Sequence, residues 1–166
     1  MKTMTALALG LALTVAAASA AGAAPVVHSG PPAAPIATTV EVPAGSDLVY
    51  VSGQLAPVVD KAAAPGTVAA YGDAATQTAN IFKKIKDILA EKGLSLGDIV
   101  MMRIYMVADP AAADGKMDFA GMMKGYTQFF GTPEQPNKPS RSTVQVANLA
   151  GPGFLLEIEV LAARAK

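Results

Sequence analysis

The stretch SRSTVQVANLAGPGFLLEIEVLAARAK, residues 140–166, holds the clearest strand signal in the chain. Two runs rich in β-branched and aliphatic residues, STVQVANL and FLLEIEVLAA, flank the turn sequence AGPG at residues 150–153. Because glycine and proline punctuate strands in this way, the pattern predicts two antiparallel strands joined as a hairpin. The register of that hairpin does not follow from the sequence.

The second of these strands has two chemically different faces. Successive side chains of a strand point to opposite sides of a sheet. Leu156, Ile158 and Val160 therefore share an apolar face. Glu157 and Glu159 share the other face, which we predict to be the one that helices leave uncovered.

The first strand of the pair also carries polar groups. Arg141, Thr143 and Gln145 lie on one of its faces by the same alternation. A tight hairpin can bring this polar face towards Glu157 and Glu159. Two interpretations stay open at this point: a structural ion pair on the sheet, and a binding site for a small carboxylate.

Upstream, one helix and one strand are well defined by their apolar spacing. Asp73 can cap the helix and Gly93 can end it. The apolar residues at helical spacing are Ile81, Phe82, Ile85, Ile88 and Leu89. In the strand that follows, DIVMMRIYMVAD, one apolar face is formed by Val100, Met102, Ile104 and Met106.

A second helix is predicted over about residues 117–130. Its apolar stripe consists of Phe119, Met122, Met123, Tyr126 and Phe130. Gly121 and Gly125 should each weaken it by about 1 kcal/mol relative to alanine. Nearer the N-terminus, the runs at residues 36–43 and 47–58 predict another antiparallel pair of strands around a Pro-Ala-Gly-Ser turn.

The predicted order of elements is β-β-α-β-α-β-β. Helices would cover one face of a mainly antiparallel or mixed sheet, which is an α+β fold with a single layer of helices. The other face would combine polar groups with scattered apolar residues. We expect such a face to bind another subunit.

The composition excludes several classes of function. The 166 residues, 52% hydrophobic and 16% charged, fit one compact domain. Lysine plus arginine equals aspartate plus glutamate at 13 each, so nucleic acid is not expected as a main partner. The chain has no cysteine, which excludes disulfides and thiolate zinc sites. Its only histidine is His28, so we do not expect a Ser-His-Asp triad. The methionine spacing favours core filling over metal binding, so we expect no metal.

Residues 1–23 predict a secretory signal peptide. They have a basic start at Lys2, an apolar run over residues 6–18, and small residues suited to cleavage at 18–20 or 21–23. A membrane anchor is the rival interpretation, but the run is shorter than the roughly 20 apolar residues that a span needs. Residues 24–35 contain four prolines and predict a flexible tail, followed by a domain over residues 36–166. We expect a secreted or periplasmic protein with no membrane association after cleavage.

Several segments resemble the reactive intermediate deaminase family, also called RidA or YjgF. They are YVSGQLAP at 50–57, QTANIFKKIKDILAEKGLSLGDIVMMRIYMVAD at 77–109, YTQFF at 126–130, SRSTVQVANL at 140–149 and LLEIEVLA at 155–162. The resemblance implies a chorismate-mutase-like α+β subunit in a homotrimer, with a ligand cleft at each subunit interface. It also implies hydrolysis of enamines and imines such as 2-aminoacrylate to a 2-keto acid and ammonia, without a metal or organic cofactor.

The resemblance also assigns roles to individual residues. Arg141 would grip the substrate carboxylate, a task that suits the planar fork of a guanidinium. Glu157 would position or activate the hydrolytic water. Further substrate-binding positions are Ser52, Gly53, Thr143 and Tyr126.

Three positions depart from the family pattern. Thr39, counted without gaps from Ser52, occupies a catalytic position where deaminating members have a tyrosine. Met123 replaces an asparagine on the second helix. Thr143 stands where a cysteine is often found.

Two main functions follow from these residues. Arg141 and Glu157 favour a hydrolase of the 2-iminobutanoate or 2-iminopropanoate deaminase type. Thr39, Met123 and the signal peptide favour a non-enzymatic trimer that binds small carboxylates or a protein partner. A nucleolytic activity is a third option, and the neutral charge argues against it.

Export can be tested on protein from the native host. Because the leader has a basic start, an apolar middle and Ala-x-Ala exits, the mature chain should begin near Ala21 or Ala24. N-terminal sequencing checks this. A soluble cytoplasmic form that retains Met1 would contradict it.

Overall fold

The computed structural model describes residues 24–166, so the predicted signal peptide lies outside the described residues. The strands are β1 (Val27–Ser29), β2 (Thr39–Glu41), β3 (Asp47–Gln54), β4 (Ile99–Met106), β5 (Ser140–Gln145) and β6 (Leu156–Arg164). The α-helices are α1 (Val68–Tyr71), α2 (Ala74–Ala90) and α3 (Phe119–Tyr126), and Leu96–Asp98 form a 3-10 turn. None of the helices in residues 24–166 is long and apolar enough to cross a membrane.

The main sheet has four strands in the order β3-β6-β4-β5. β6 pairs in antiparallel fashion with both β3 and β4, whereas β5 runs parallel to β4 at the edge. The sheet is therefore mixed, and α2 and α3 pack together on one of its faces. The predicted α+β class is confirmed.

Helix α2 begins and ends where its sequence signals predict. The Thr76 amide donates a 2.8 Å hydrogen bond to Asp73 Oδ1, which satisfies one of the free N–H groups of the first turn. Beyond the last turn, Gly93 adopts a left-handed φ of 67°, a conformation that glycine reaches without strain. The buried apolar stripe of the helix comprises Ile81, Phe82, Ile85 and Leu89.

Helix α3 is shorter than the predicted 117–130, because it spans only Phe119–Tyr126. Its glycines have a packing reason. A Cβ on Gly125 would lie 2.7 Å from the backbone oxygen of Ala75, so the glycine lets α3 approach α2 closely. That contact offsets the helix propensity that the glycines lose.

The central strands alternate as predicted. Val100, Met102, Ile104 and Met106 of β4 are all buried. Leu156, Ile158 and Val160 of β6 are buried too, and they pack with the helices in one core. Glu157 and Glu159 lie on the opposite face and are only partly buried. We call this second side, which none of the helices in residues 24–166 covers, the bare face.

The predicted C-terminal hairpin is wrong. β4 lies between β5 and β6, and β5 pairs with β4 in parallel. The turn signal at residues 150–153 marks a reversal of the chain, but it does not say which strand each arm joins. β4 takes the central place because both of its faces are largely apolar, and a strand of that kind is stabilised by burial between two neighbours.

The predicted pair of strands near the N-terminus is also wrong. β2 pairs with β1, and β3 pairs with β6. β1 lies in the segment 24–35 that the sequence interprets as a tail, and a strand of three residues, Val27–Ser29, is too short to show a strand periodicity. The domain boundaries themselves stay predictions.

The Asp73 cap gives a test of this architecture. Asp73→Ala should lower the free energy of unfolding by about 1 kcal/mol at pH 7, whereas Asp73→Asn keeps an acceptor and should retain most of it. The hydrogen bond from Thr76 lowers the pKa of Asp73, so its contribution is present above the unfolded-state pKa and is lost as the pH falls through the lower folded-state pKa. Urea unfolding measures both effects. Equal losses in the Ala and Asn variants would contradict the capping role.

Candidate functional site

Arg141 lies on the helix-covered side of the sheet. Its register partner on β4 is Met102, which is buried beneath the helices. The guanidinium carbon stands 4.3 Å from the ring centroid of Tyr126, and Nη2 lies 3.3 Å from the sulfur of Met123. Nη1 is buried and has no hydrogen-bond partner among residues 24–166. We call Arg141, Tyr126 and Met123 the arginine half-site.

Burial dominates the electrostatics of this half-site. Removal from water lowers the pKa of Arg141, although a guanidinium stays charged at any ordinary pH. Burial also raises the pKa of Tyr126 to about 12, and its hydroxyl donates a 3.0 Å hydrogen bond to the Pro35 carbonyl. The phenol is therefore neutral and engaged. A buried cation without an anion is costly, so the half-site is suited to an incoming carboxylate.

A cavity of about 480 Å³ adjoins Arg141. Its lining is formed by Pro31, Ala34, Ile36, Ala37, Thr38, Met101, Ser140, Arg141 and Ser142. Much of that lining belongs to residues 24–41, which we call the N-terminal arm. The lining includes three residues with hydroxyl groups, Thr38, Ser140 and Ser142, besides Arg141.

Lys138 attaches the N-terminal arm to the domain. Its ammonium donates to the carbonyls of Pro32, at 3.0 Å, and Ala34, at 2.8 Å. Its own carbonyl lies 2.8 Å from Nδ1 of His28 and can only accept, so that nitrogen carries the proton. Lys138 thus positions the cavity wall from both its side chain and its backbone.

Glu157 lies on the bare face. Its register partner on β4 is Tyr105, and residues 102 and 105 of one strand point to opposite sides. The carboxylate rests over Gly53, where an added Cβ would overlap its oxygen. Among the described residues Glu157 has no salt bridge and no side-chain hydrogen bond. We call Glu157, Gly53 and Ser52 the glutamate half-site.

The neighbouring acid, Glu159, has a different environment. Arg103 Nη1 donates to its Oε1 at 2.6 Å, and the Tyr105 hydroxyl donates to the same oxygen at 3.1 Å. The hydrogen bond from Arg103 lowers the pKa of Glu159. Arg103 is therefore the structural ion-pair partner on this face, and Arg141 pairs with neither acid. Glu157 is left available for chemistry.

The structure separates the predicted site residues into two groups. Arg141, Tyr126 and Thr143 belong to the helix-covered side, and Thr143 Oγ1 is a second buried atom without a partner among residues 24–166. Ser52 is exposed and lines a bare-face cavity of about 240 Å³ together with Arg103. The two half-sites face opposite directions and do not meet within one chain.

Thr39 does not line either of the two cavities. It lies exposed in β2 opposite Ser29, whereas its neighbour Thr38 lines the cavity beside Arg141.

Two functional features escaped the sequence. Arg103 as the partner of Glu159 depends on β4 pairing with β6, which no local pattern indicates. The arm and its attachment through Lys138 join residues about a hundred positions apart. The adjacency of Arg141 and Met123 had one detectable signal, since Met123 occupies the apolar stripe predicted for α3.

Within residues 24–166 no group of three or more His, Asp or Glu side chains could hold a metal ion.

Known proteins similar to this chain include several deaminases. The putative reactive intermediate deaminase TdcF of Escherichia coli K12 is 35% identical over 117 residues, which is 70% of this chain and 79% of that protein. The 3-aminoacrylate deaminase RutC of Acinetobacter baylyi is 34% identical over 128 residues, or 77% of this chain and 88% of that protein. The match to a RutC family protein of Pyrococcus abyssi, 35% identical over 91 residues, covers 55% of this chain and 62% of that protein.

Solved structures and a family profile agree with these relatives. E. coli TdcF with bound serine is similar at a TM-score of 0.53 and 30% identity, covering 81% of this chain and 96% of that one. The YjgF gene product of E. coli reaches 0.53 at 29% identity, covering 74% and 84%. Residues 28–164 match the family described as Endoribonuclease L-PSP. The chain therefore belongs to this family, which includes the RidA, YjgF and RutC proteins.

Proposed function

We propose that this protein is a hydrolytic deaminase of small enamine and imine intermediates, which it converts to a 2-keto acid and ammonia. The names of its deaminase relatives support the reaction class. The observation that carries the proposal is the half-buried Arg141, whose buried Nη1 has no partner among the described residues.

Arg141 would bind the carboxylate of the substrate. A carboxylate accepts two parallel hydrogen bonds from a guanidinium, and it supplies the negative charge that this buried cation lacks. The Tyr126 ring fixes the plane of the guanidinium by stacking against it at 4.3 Å. The adjoining cavity is large enough for a small 2-imino acid and has apolar walls for its side chain.

Glu157 would direct the water. Its carboxylate accepts a proton as the water oxygen bonds to the imine carbon, and the resulting carbinolamine has both a hydroxyl and an amino group on one carbon. The imine reacts in its protonated form, so the carbinolamine nitrogen is an NH2 group. The carbon–nitrogen bond then breaks as this nitrogen takes the proton from Glu157 and the hydroxyl gives its own proton back to the carboxylate. The products are a 2-keto acid and ammonia, so no oxidant or further reactant is needed.

A complete site would need two copies of the chain. Arg141 and Glu157 lie on opposite faces of the sheet, so one copy would supply the arginine half-site and its neighbour the glutamate half-site. The bare face exposes Leu48, Tyr50 and Val144, with Tyr50 76% exposed, and such residues are typical of a subunit contact. We propose the homotrimer of the resembled family as this assembly.

A non-enzymatic binding module for small carboxylates is the second candidate. It is favoured by Met123, because a thioether beside Arg141 is a poor hydrogen-bond partner for a leaving amine. The N-terminal arm also offers a threonine hydroxyl, not a phenol, at the cavity. Ammonia release from freshly generated imines separates the two candidates. Export to the periplasm stays a prediction under either one.

Substitution of the two charged residues should separate binding from turnover. Arg141→Ala should weaken binding of pyruvate or 2-oxobutanoate by about 2 to 5 kcal/mol, while Arg141→Lys keeps the charge but not the fork. Glu157→Gln should bind these acids and release no ammonia. Calorimetry and an ammonia assay check this, with Arg103→Ala as the surface-arginine control. Unchanged affinity in Arg141→Ala, with only a lower melting temperature, would indicate a structural arginine instead.

The shared site can be tested by mixing inactive chains. Light scattering should show a trimer, and co-expressed Arg141→Ala and Glu157→Gln chains should assemble roughly a quarter of their sites with both groups intact. Ammonia release should therefore reappear in the mixture although each variant alone is inactive. A stable monomer, or a mixture as inactive as its components, would refute the two-chain site.

The absence of a side chain at Gly53 should allow the Glu157 carboxylate to occupy its observed place. An added methyl at Gly53 would overlap the carboxylate, so Gly53→Ala should cost about 1 kcal/mol of stability and displace the glutamate from its place. In a Glu157→Ala background the same methyl should cost almost nothing. A double-mutant cycle by urea unfolding measures the coupling. Equal costs in both backgrounds would contradict the contact.

A further inference from the structure

We infer that Met123 is a reversible oxidation site, and that its sulfoxide competes with the substrate carboxylate for Arg141. The starting observation is the contact between the Met123 sulfur and Arg141 Nη2 at 3.3 Å. The inference rests on the proposed role of Arg141 in carboxylate binding. It assigns a regulatory modification to the same half-site.

Met123 is more accessible than the methionines of the core, as are Met101 and Met117. At most 1% of the surface of Met102, Met106 and Met122 is exposed, so a peroxide can reach them only when the core opens. Met123 is only partly buried and lies at the margin of the core. Met117 is a similar half-buried methionine whose sulfur makes no hydrogen bond with Arg141, so it serves as a matched control.

The chemical step is a two-electron oxidation by a peroxide. A lone pair on the thioether sulfur bonds to one peroxide oxygen, and the oxygen–oxygen bond breaks. The departing oxygen keeps the bonding electrons and takes the proton of the transferred hydroxyl, so it leaves as water. The sulfur becomes a sulfoxide, and a methionine sulfoxide reductase can restore the thioether.

The Met123 sulfoxide would form next to a hydrogen-bond donor, the Arg141 guanidinium. A thioether is a weak acceptor, whereas a sulfoxide carries a strongly polar oxygen that accepts hydrogen bonds. Arg141 presents to it a desolvated cation, and its Nη1 has no acceptor among the described residues. A hydrogen bond from this guanidinium to the new oxygen would be charge-assisted, so it would occupy the donors that a carboxylate needs.

Oxidation at this position should also leave the fold intact. The sulfoxide oxygen gains a donor, so the added polar group is not left unsatisfied beside the core. A sulfoxide at Met102 or Met106 would have no such partner in the buried core. Loss of ligand binding with an unchanged melting temperature is therefore the signature of the proposed device.

The experiment uses the full assembled protein and dilute hydrogen peroxide. Peptide mass spectrometry follows the gain of one oxygen at each methionine, and calorimetry measures pyruvate affinity before oxidation, after it, and after treatment with methionine sulfoxide reductase. Oxidised protein should bind roughly tenfold or more weakly, as expected when a charge-assisted hydrogen bond must be displaced, and reduction should restore binding. Met123→Leu and Met117→Leu are each compared with their own untreated form. Only Met123→Leu should become insensitive to peroxide.

The outcomes separate this inference from the proposed function. Reduced protein that binds no keto acid would overturn the carboxylate role of Arg141, and the inference with it. Reduced protein that binds, while Met123-oxidised protein binds equally well, would overturn the inference alone. Peroxide sensitivity that persists in Met123→Leu, or vanishes in Met117→Leu, would assign the effect to another methionine and overturn it too.

Discussion

The parallel pairing of β5 with β4 is the constraint on which the chemistry of both sheet faces depends. It sets Arg141 opposite Met102 and so turns a guanidinium towards the helices, against the ring of Tyr126. The antiparallel pairing of β4 with β6 sets Glu157 opposite Tyr105, on the other side. Had β5 joined β6 in a hairpin, an arginine and two glutamates could have neutralised one another. The observed order keeps one cation and one carboxylate unpaired within the described chain.

Local pattern predicted the parts of the fold whose causes are local. Helix α2 follows from Asp73, from its apolar stripe and from Gly93, all within twenty-one positions of sequence. The alternation of β4 and β6 follows from burial of one face. The prediction of strand pairing failed because pairing depends on which strands bury the most apolar one, β4, between them. A turn signal fixes a change of direction, and β1 in particular has no periodic pattern of its own.

For the candidate functional site, too, the sequence accounts for only part of what the structure contains. The roles of Arg141 and Glu157 come from motif resemblance and stay predictions, whereas their environments depend on contacts that span the chain. Glu159 differs from Glu157 only because Arg103 reaches it across β4 and β6, and two acids of one strand face look alike in sequence. The wall beside Arg141 belongs to an arm fixed by Lys138 over a hundred residues away, through carbonyl groups that every residue has. Contacts to backbone carbonyl groups of this kind cannot be recognised from the residue types in a sequence.

The proposed two-chain site would account for features of both sheet faces that are unfavourable in a lone chain. A buried guanidinium without an anion, and an acid without a donor, are both unfavourable to keep in a lone chain. Exposed Tyr50 and Leu48 on the bare face are a further cost in water. Packing of that face against a second copy would bury the apolar residues and bring the acid of one chain towards the arginine of another. One contact would then remove the apolar exposure and create the site, which would make assembly a condition of activity. Arg141 and Glu157, which lack charged partners in one chain, would then contribute both to the stability of the assembly and to its chemistry.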